Sequence, residues 1–113
     1  MSTPCFPDDP AFKLLRAGEI DAFHQATADR DVIDYGGADL RGVDLREVNL
    51  SKFVLKDAYL RDVDLRGCDL RELDLSGVSL HGAKISGTYF PSNVSATEIR
   101  MSLRHGTRIR TNQ

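Results

Sequence analysis

The stretch RGVDLREVNL, residues 41–50, is nearly repeated as RDVDLRGCDL, residues 61–70. In both copies a leucine occupies every fifth position, so the offset of 20 residues equals four five-residue units. Repeats with a fixed short period are typical of solenoids, in which each turn of the chain stacks on its neighbours. The repeat therefore predicts a chain that winds steadily around one core.

A large apolar residue recurs at every fifth position without a gap. On an α-helix five residues advance by about 500°, and on a flat strand they change faces, so neither element would keep these residues together. They share one core only if the chain turns after each unit. The twelve residues predicted to form this core are Tyr35, Leu40, Leu45, Leu50, Leu55, Leu60, Leu65, Leu70, Leu75, Leu80, Ile85 and Phe90.

A second column, two positions before the first, contains mostly small apolar residues. Its large members are Ile33, Phe53 and Leu73, which are also spaced by 20 residues and belong to the predicted core. Four units are therefore expected to close one coil, each turning the chain by about a right angle. Phe53 is then predicted to lie between Ile33 and Leu73.

The residue two positions after each central residue is expected to form a corner. Six of the twelve units have glycine there, and glycine accepts the positive φ that tight turns often need. The other corners are Glu47, Lys52, Asp57, Asp62, Glu72 and Ser92, and a different turn type is expected at them.

Four units, ADLRG, VDLRE, VDLRG and CDLRE, begin at Ala38, Val43, Val63 and Cys68. In them the chain resembles the pentapeptide-repeat family, whose pattern is roughly A(D/N)LXX. The resemblance covers residues 33–90 in unbroken register and implies an all-β solenoid, the right-handed quadrilateral β-helix. The units FVLKD, AYLRD and AKISG lack the Asp or Asn, which leaves their turn type open.

The sequence around the repeats predicts a helical cap at each end of the solenoid. Residues 1–32 are expected to form a leader and an N-terminal helical cap, with Asp9 as N-cap before Pro10. Residues 33–92 would form a β-helix of three coils. Residues 93–113 would form a capping helix, begun by the capping box SATE at Ser95, and a mobile tail.

The length of 113 residues predicts one domain, and we expect a cytoplasmic, bacterial protein. The net charge of -2 gives no strong attraction to nucleic acid or to an anionic membrane, so direct nucleic-acid binding is not expected. No apolar run approaches the roughly 20 residues of a membrane span, and MSTPCFPDDP does not resemble a secretory signal.

No catalytic residue, metal site or cofactor is expected, and the protein is predicted not to be an enzyme. His24, His81 and His105 lie in separate segments without a cysteine at ligand spacing. Of the two cysteines, Cys68 occupies a small-residue core position and Cys5 is expected to be exposed, without a chemical role for either.

Two functions remain open. The first is a scaffold or protein-interaction module that binds an unidentified protein, or a second copy through a cap. Candidate contacts are Ile99, Leu103, Arg100 and Arg104. The second is implied by the resemblance: some family members mimic B-DNA, bind type II topoisomerases such as DNA gyrase, and confer quinolone resistance. Ten acidic against eight basic residues in the repeats would make a weak DNA mimic.

Overall fold

The computed structural model describes residues 4–112. Its elements are α1 (Pro10–Arg16), α2 (Ile20–Ala26), β1 (Ile33–Asp34), β2 (Phe53–Val54) and α3 (Ala96–His105). β1 and β2 pair in parallel, with Ile33 opposite Phe53. Further parallel bridges join Asp39 to Tyr59, Asp44 to Asp64, Tyr59 to Ser79, Asp64 to Lys84 and Asp69 to Tyr89. These pairs have the 20-residue offset that the sequence predicts, and we call residues 33–52, 53–72 and 73–92 the first, second and third layers.

The same hydrogen bonds recur between successive layers. The amide of Leu45 donates to the carbonyl of Asp64 at 3.0 Å, and the amide of Leu65 donates to that of Lys84 at 2.8 Å. In the other direction, the amide of Asp64 donates to the carbonyl of Val43 at 3.1 Å. Because the chain turns after every unit, each pairing is limited to a few residues, and the strands are short.

The predicted core residues lie inside the layers, with three exceptions. Tyr35, Ile33, Phe53 and every central leucine from Leu40 to Leu80 are buried. Leu73, Ile85 and Phe90, which were also predicted to belong to the core, pack against it but are only partly buried. All three belong to the third layer, and within residues 4–112 no further layer covers them.

Several corner residues with positive φ donate a backbone hydrogen bond to the next layer. The corner glycines have positive φ, and so do Asp57 (64°) and Asp62 (57°). The expectation of a different turn at these two positions is therefore wrong, because a short polar side chain tolerates the left-handed region. The Asp62 amide donates to the His81 carbonyl at 2.9 Å, just as Gly42 donates to Arg61.

One stretch of the described backbone lacks the hydrogen bonds that occur elsewhere at the 20-residue offset. Among the described residues, no backbone hydrogen bond joins residues 48–55 to residues 68–75. Three corners without positive φ border it, namely Glu47, Lys52 and Glu72. Phe53 and Leu73 line one groove of about 360 Å³ there. Phe53 is thus paired with Ile33 on one side and meets Leu73 across this groove on the other.

Helices α1 and α2 pack against the first layer. The Asp9 carboxylate accepts a hydrogen bond from the Ala11 amide at 3.0 Å, so the predicted N-cap is confirmed. Phe12 and Phe23 are buried, and their rings lie 5.0 Å and 6.5 Å from that of Tyr35. Aromatic contacts of this kind add to the free energy gained by burying the rings.

Helix α3 and the segment after it pack against the third layer. The Ser95 hydroxyl accepts from the Glu98 amide at 3.1 Å, but the Glu98 carboxylate binds Arg110, so only half of the predicted capping box forms. The prediction of a mobile tail is wrong, because Ile109 is buried and its amide donates to the Val78 carbonyl at 2.8 Å. The sequence did not indicate that Ile109 is buried, because no other apolar residue of the tail recurs with it at a regular spacing.

Candidate functional site

Four charged side chains form a ladder across the first two layers, which we call the charged ladder: Asp44, Arg46, Asp64 and Arg66. Asp44 and Asp64 face each other in a parallel bridge, as the 20-residue offset predicts. Each binds the arginine two residues later, at 2.8 Å and 2.7 Å. Arg46 also reaches Asp64 of the next layer at 3.2 Å. The interleaved arginines therefore offset the repulsion between the stacked carboxylates.

This pairing also fixes the protonation of the carboxylates. The hydrogen bond from Arg66 lowers the pKa of Asp64 well below its usual range, and that from Arg46 lowers the pKa of Asp44. A general acid needs a pKa near the working pH. These side chains are ionised and neutralised by their partners, so the charged ladder has no proton donor for catalysis.

The cysteines and histidines form no reactive group among the described residues. Burial raises the pKa of the Cys68 thiol, which donates to the Leu45 carbonyl at 3.4 Å and is therefore a poor nucleophile. His24 accepts the Asn49 amide at 3.1 Å through Nε2. No cluster of three or more His, Cys, Asp or Glu residues in the described part of the chain could hold a metal ion.

The pattern of backbone hydrogen bonding also stops at the edge of the third layer. In the second layer the amides of Leu65, Gly67 and Leu70 donate to carbonyls of the third layer at 2.8 to 3.0 Å. The equivalent third-layer amides, those of Ile85, Gly87 and Phe90, have no hydrogen-bond partner among the described residues. We call residues 83–90 the open edge.

The rest of that edge is closed by the chain itself. The amide of Gly77 donates to the Ile109 carbonyl at 2.8 Å, and the amide of Gly82 donates to the Leu103 carbonyl at 3.1 Å. Between them, the amide of Leu80 donates to the Ser102 hydroxyl at 2.8 Å. The C-terminal segment thus provides acceptors where a further layer would, but it stops short of the open edge.

The four partner contacts proposed from the sequence lie on α3, beside this edge. Ile99 and Leu103 are partly buried against the core, and Arg100 and Arg104 are exposed. The two arginines form no ion pair with any described residue. The sequence predicted helix α3 but not the open edge. The path of the segment after α3 decides which amides of the third layer find a partner, and no sequence pattern reveals that path.

Parallel pairing at a 20-residue offset, around a core of stacked leucines, defines a β-solenoid repeat protein. The family model for pentapeptide repeats matches the chain in eight copies, over residues 34–61 and 54–90. Together these matches span 57 of the 113 residues, so the chain belongs to the pentapeptide-repeat family. No curated protein matches the sequence. Within residues 4–112, every helix is too short or too polar to cross a membrane.

Proposed function

We propose that the three layers are three coils of a right-handed quadrilateral β-helix, and that the helices cap its two ends. The bridges at a 20-residue offset support stacked coils of four units each. The buried Phe12 and Phe23 at one end, and the bond from Gly82 to Leu103 at the other, support the caps. Such covers are needed because the terminal turns of a solenoid would otherwise expose their apolar interior.

The proposed function of this β-helix is that of a non-catalytic scaffold that binds a partner protein through its C-terminal end. The observation that carries this proposal is the exposure of core residues there: Ile85 and Phe90 are partly exposed, next to unpaired amides. Apolar side chains surrounded by polar groups are typical of protein contact sites. In the charged ladder, by contrast, every charge already has a partner within the chain.

A pull-down from the source organism, with a matched pair of variants, tests this function. Arg100→Glu/Arg104→Glu reverses the two exposed charges on α3, and we expect it to lose a partner that the wild-type protein retains. Lys13→Glu/Lys56→Glu makes the same change in charge at exposed positions outside that helix and should retain the partner. Equal retention by both variants would contradict binding through the C-terminal end.

The partner could also be a second copy of the chain, with the basic C-terminal end of one copy meeting the acidic N-terminal end of the next. Sedimentation at two salt concentrations tests this form of the proposal. A dimer that is held through charged ends should weaken as salt rises, because screening reduces contacts between exposed charges. If the protein sediments as a monomer at both salt concentrations, the partner is a different protein.

A further inference from the structure

We infer that the open edge binds an acidic segment of the partner protein, which adds a strand to residues 83–87, turns at the same corner and continues along residues 88–90. This inference rests on the proposed function and names the kind of partner that it requires. Addition of a strand to an exposed sheet edge is a common mode of peptide recognition, with affinity from main-chain hydrogen bonds and specificity from side-chain contacts. Three features of the edge support it.

The first feature is the register of the unpaired donors. Leu45, Leu65 and Ile85 occupy the same position in successive layers, and the first two donate to the next layer at 3.0 Å and 2.8 Å. Ile85 is oriented by the same repeat but finds no acceptor among the described residues. The edge therefore presents amides at the spacing of the solenoid, and the carbonyls of a segment that turns at the same corner can match them.

The second feature is that other edges of the layers already take short segments of the chain. At the opposite end, Cys5 forms a parallel bridge to Ala38, and the Asp39 amide donates to the Cys5 carbonyl at 2.7 Å. Beside the open edge, Ile109 accepts a hydrogen bond from the Gly77 amide and donates one to the Val78 carbonyl. The open edge is continuous with this closed part and lacks the segment that would complete it.

The third feature is the chemistry around the edge, which selects an acidic and partly apolar partner. Ile85 and Phe90 offer apolar contact, whereas Lys84, Arg100 and Arg104 form no ion pair within the described residues. Leu103 accepts from Gly82, so the last turns of α3 lie beside the beginning of the edge. Opposite charges on an incoming segment would steer it to this site.

The same charges argue against a second copy paired edge to edge. Residues 95–113 contain four arginines and one glutamate. An edge-to-edge dimer would bring these two basic segments together, and the repulsion between like charges would oppose it. An acidic segment of another protein meets no such repulsion.

The test uses the full-length protein and the synthetic peptide ADLEGADLEG, which has the leucine spacing of the repeats and four carboxylates. Amide hydrogen exchange is measured residue by residue with and without the peptide. We expect exchange at Ile85, Gly87 and Phe90 to slow by about ten-fold or more at saturation, because bonded amides are protected. The Asp44 amide, which has no partner among the described residues and lies at the opposite edge, should not change.

Two controls separate edge pairing from a general attraction between charges. The peptide GEDALLADEG has the same composition without the repeat spacing and should not protect the three amides. Lys84→Glu should weaken binding of ADLEGADLEG by about ten-fold, which corresponds to about 1.4 kcal/mol. Lys56→Glu makes the same change at an exposed position of another face and should bind like the wild type.

Unchanged exchange at Ile85, Gly87 and Phe90 in the presence of the peptide would overturn the inference. Protection of these amides that rises with protein concentration, without any peptide, would also overturn it, because a second copy would then cover the edge. If the pull-down retains a partner that leaves the three amides unprotected, the proposed function stands and the inference fails.

Discussion

At the scale of single residues, the corners decide how closely the layers approach. Gly77 has a φ of +77°. A Cβ atom at this position would overlap the Asp57 carboxylate of the second layer, whose carboxyl carbon would lie 2.9 Å from it. Asp57 in turn adopts positive φ, so the two corners stack with one side chain between them. Glycine at position 77 is therefore required both by the backbone conformation and by the neighbouring layer.

Gly77→Ala should destabilise the protein more than Gly42→Ala. Both positions have positive φ, which costs a non-glycine residue roughly 1–2 kcal/mol, but a Cβ at Gly42 meets no atom within 4 Å. The clash with Asp57 should add about 1 kcal/mol or more at position 77. Urea unfolding of both variants measures the difference in the free energy of unfolding. Equal losses would show that Asp57 does not rest on Gly77.

The spacing of apolar residues was sufficient to predict which side chains face inward, because the same two positions of every five-residue unit point toward the core. It was not sufficient for Ile85 and Phe90, since their exposure depends on whether another layer follows. The turn at Asp62 also escaped prediction: a sequence shows that glycine is missing at a corner, but not that aspartate takes the left-handed conformation in its place.

At the scale of elements, the beginning of α1 is joined to the first layer by a polar contact. The Asp9 carboxylate accepts hydrogen bonds from Arg30 at 2.8 Å and from the Tyr35 hydroxyl at 2.9 Å. The bond from Arg30 is the main reason that the pKa of Asp9 falls from 3.8 to about 2. This carboxylate is mostly shielded from solvent, so its ionisation contributes to the stability of the fold.

We expect the wild-type protein to lose the contribution of Asp9 between about pH 4 and pH 2. A carboxyl whose pKa is lowered by folding stabilises the protein above the unfolded value, and this is lost as the pH falls through the folded value. Asp9→Asn retains an N-cap and should cost about 1–2 kcal/mol at pH 7. Denaturation at several pH values should show that cost vanish near pH 2.

A matched control is Asp8→Asn, which removes an exposed neighbouring carboxylate that forms no ion pair among the described residues. It should follow the wild-type stability at every pH. A cost of Asp9→Asn that persists undiminished at pH 2 would show that the charge of Asp9 is not the stabilising feature.

The segment after α3 should also contribute to stability, although the sequence gave no sign of it. Ile109 is 2 % exposed and pairs with the third layer through both its amide and its carbonyl. Ile109→Ala should lower the free energy of unfolding by about 2–4 kcal/mol, as for other buried aliphatic truncations. Thr107→Ala, at an exposed position of the same segment, should change it little. Similar small effects would mean that the tail is detached in solution.

Helix beginnings were easier to predict than this segment, for a physical reason. Capping depends on residues next to each other in sequence, such as Asp9 with Pro10 and Ser95 with Glu98. The burial of Ile109 and the open edge depend on contacts between distant parts of the chain, which a short irregular segment does not reveal through any period.

At the scale of the whole molecule, the charge distribution does not favour a mimic of DNA. The carboxylates of the charged ladder are each bound to arginine, so this face presents alternating charges rather than a row of negative ones. We expect no inhibition of DNA gyrase in a supercoiling assay at micromolar protein. Inhibition that is lost on Asp44→Asn/Asp64→Asn would contradict this and would support the topoisomerase role.

The account depends most on one geometric relation, that each residue stacks on the residue 20 positions later. Nuclear Overhauser spectroscopy of the protein in solution measures it directly. We predict contacts from Tyr59 to both Asp39 and Ser79, and from Phe53 to both Ile33 and Leu73. Contacts at any other regular offset, or the absence of contacts from Tyr59 to Asp39 and Ser79, would contradict the stacked layers.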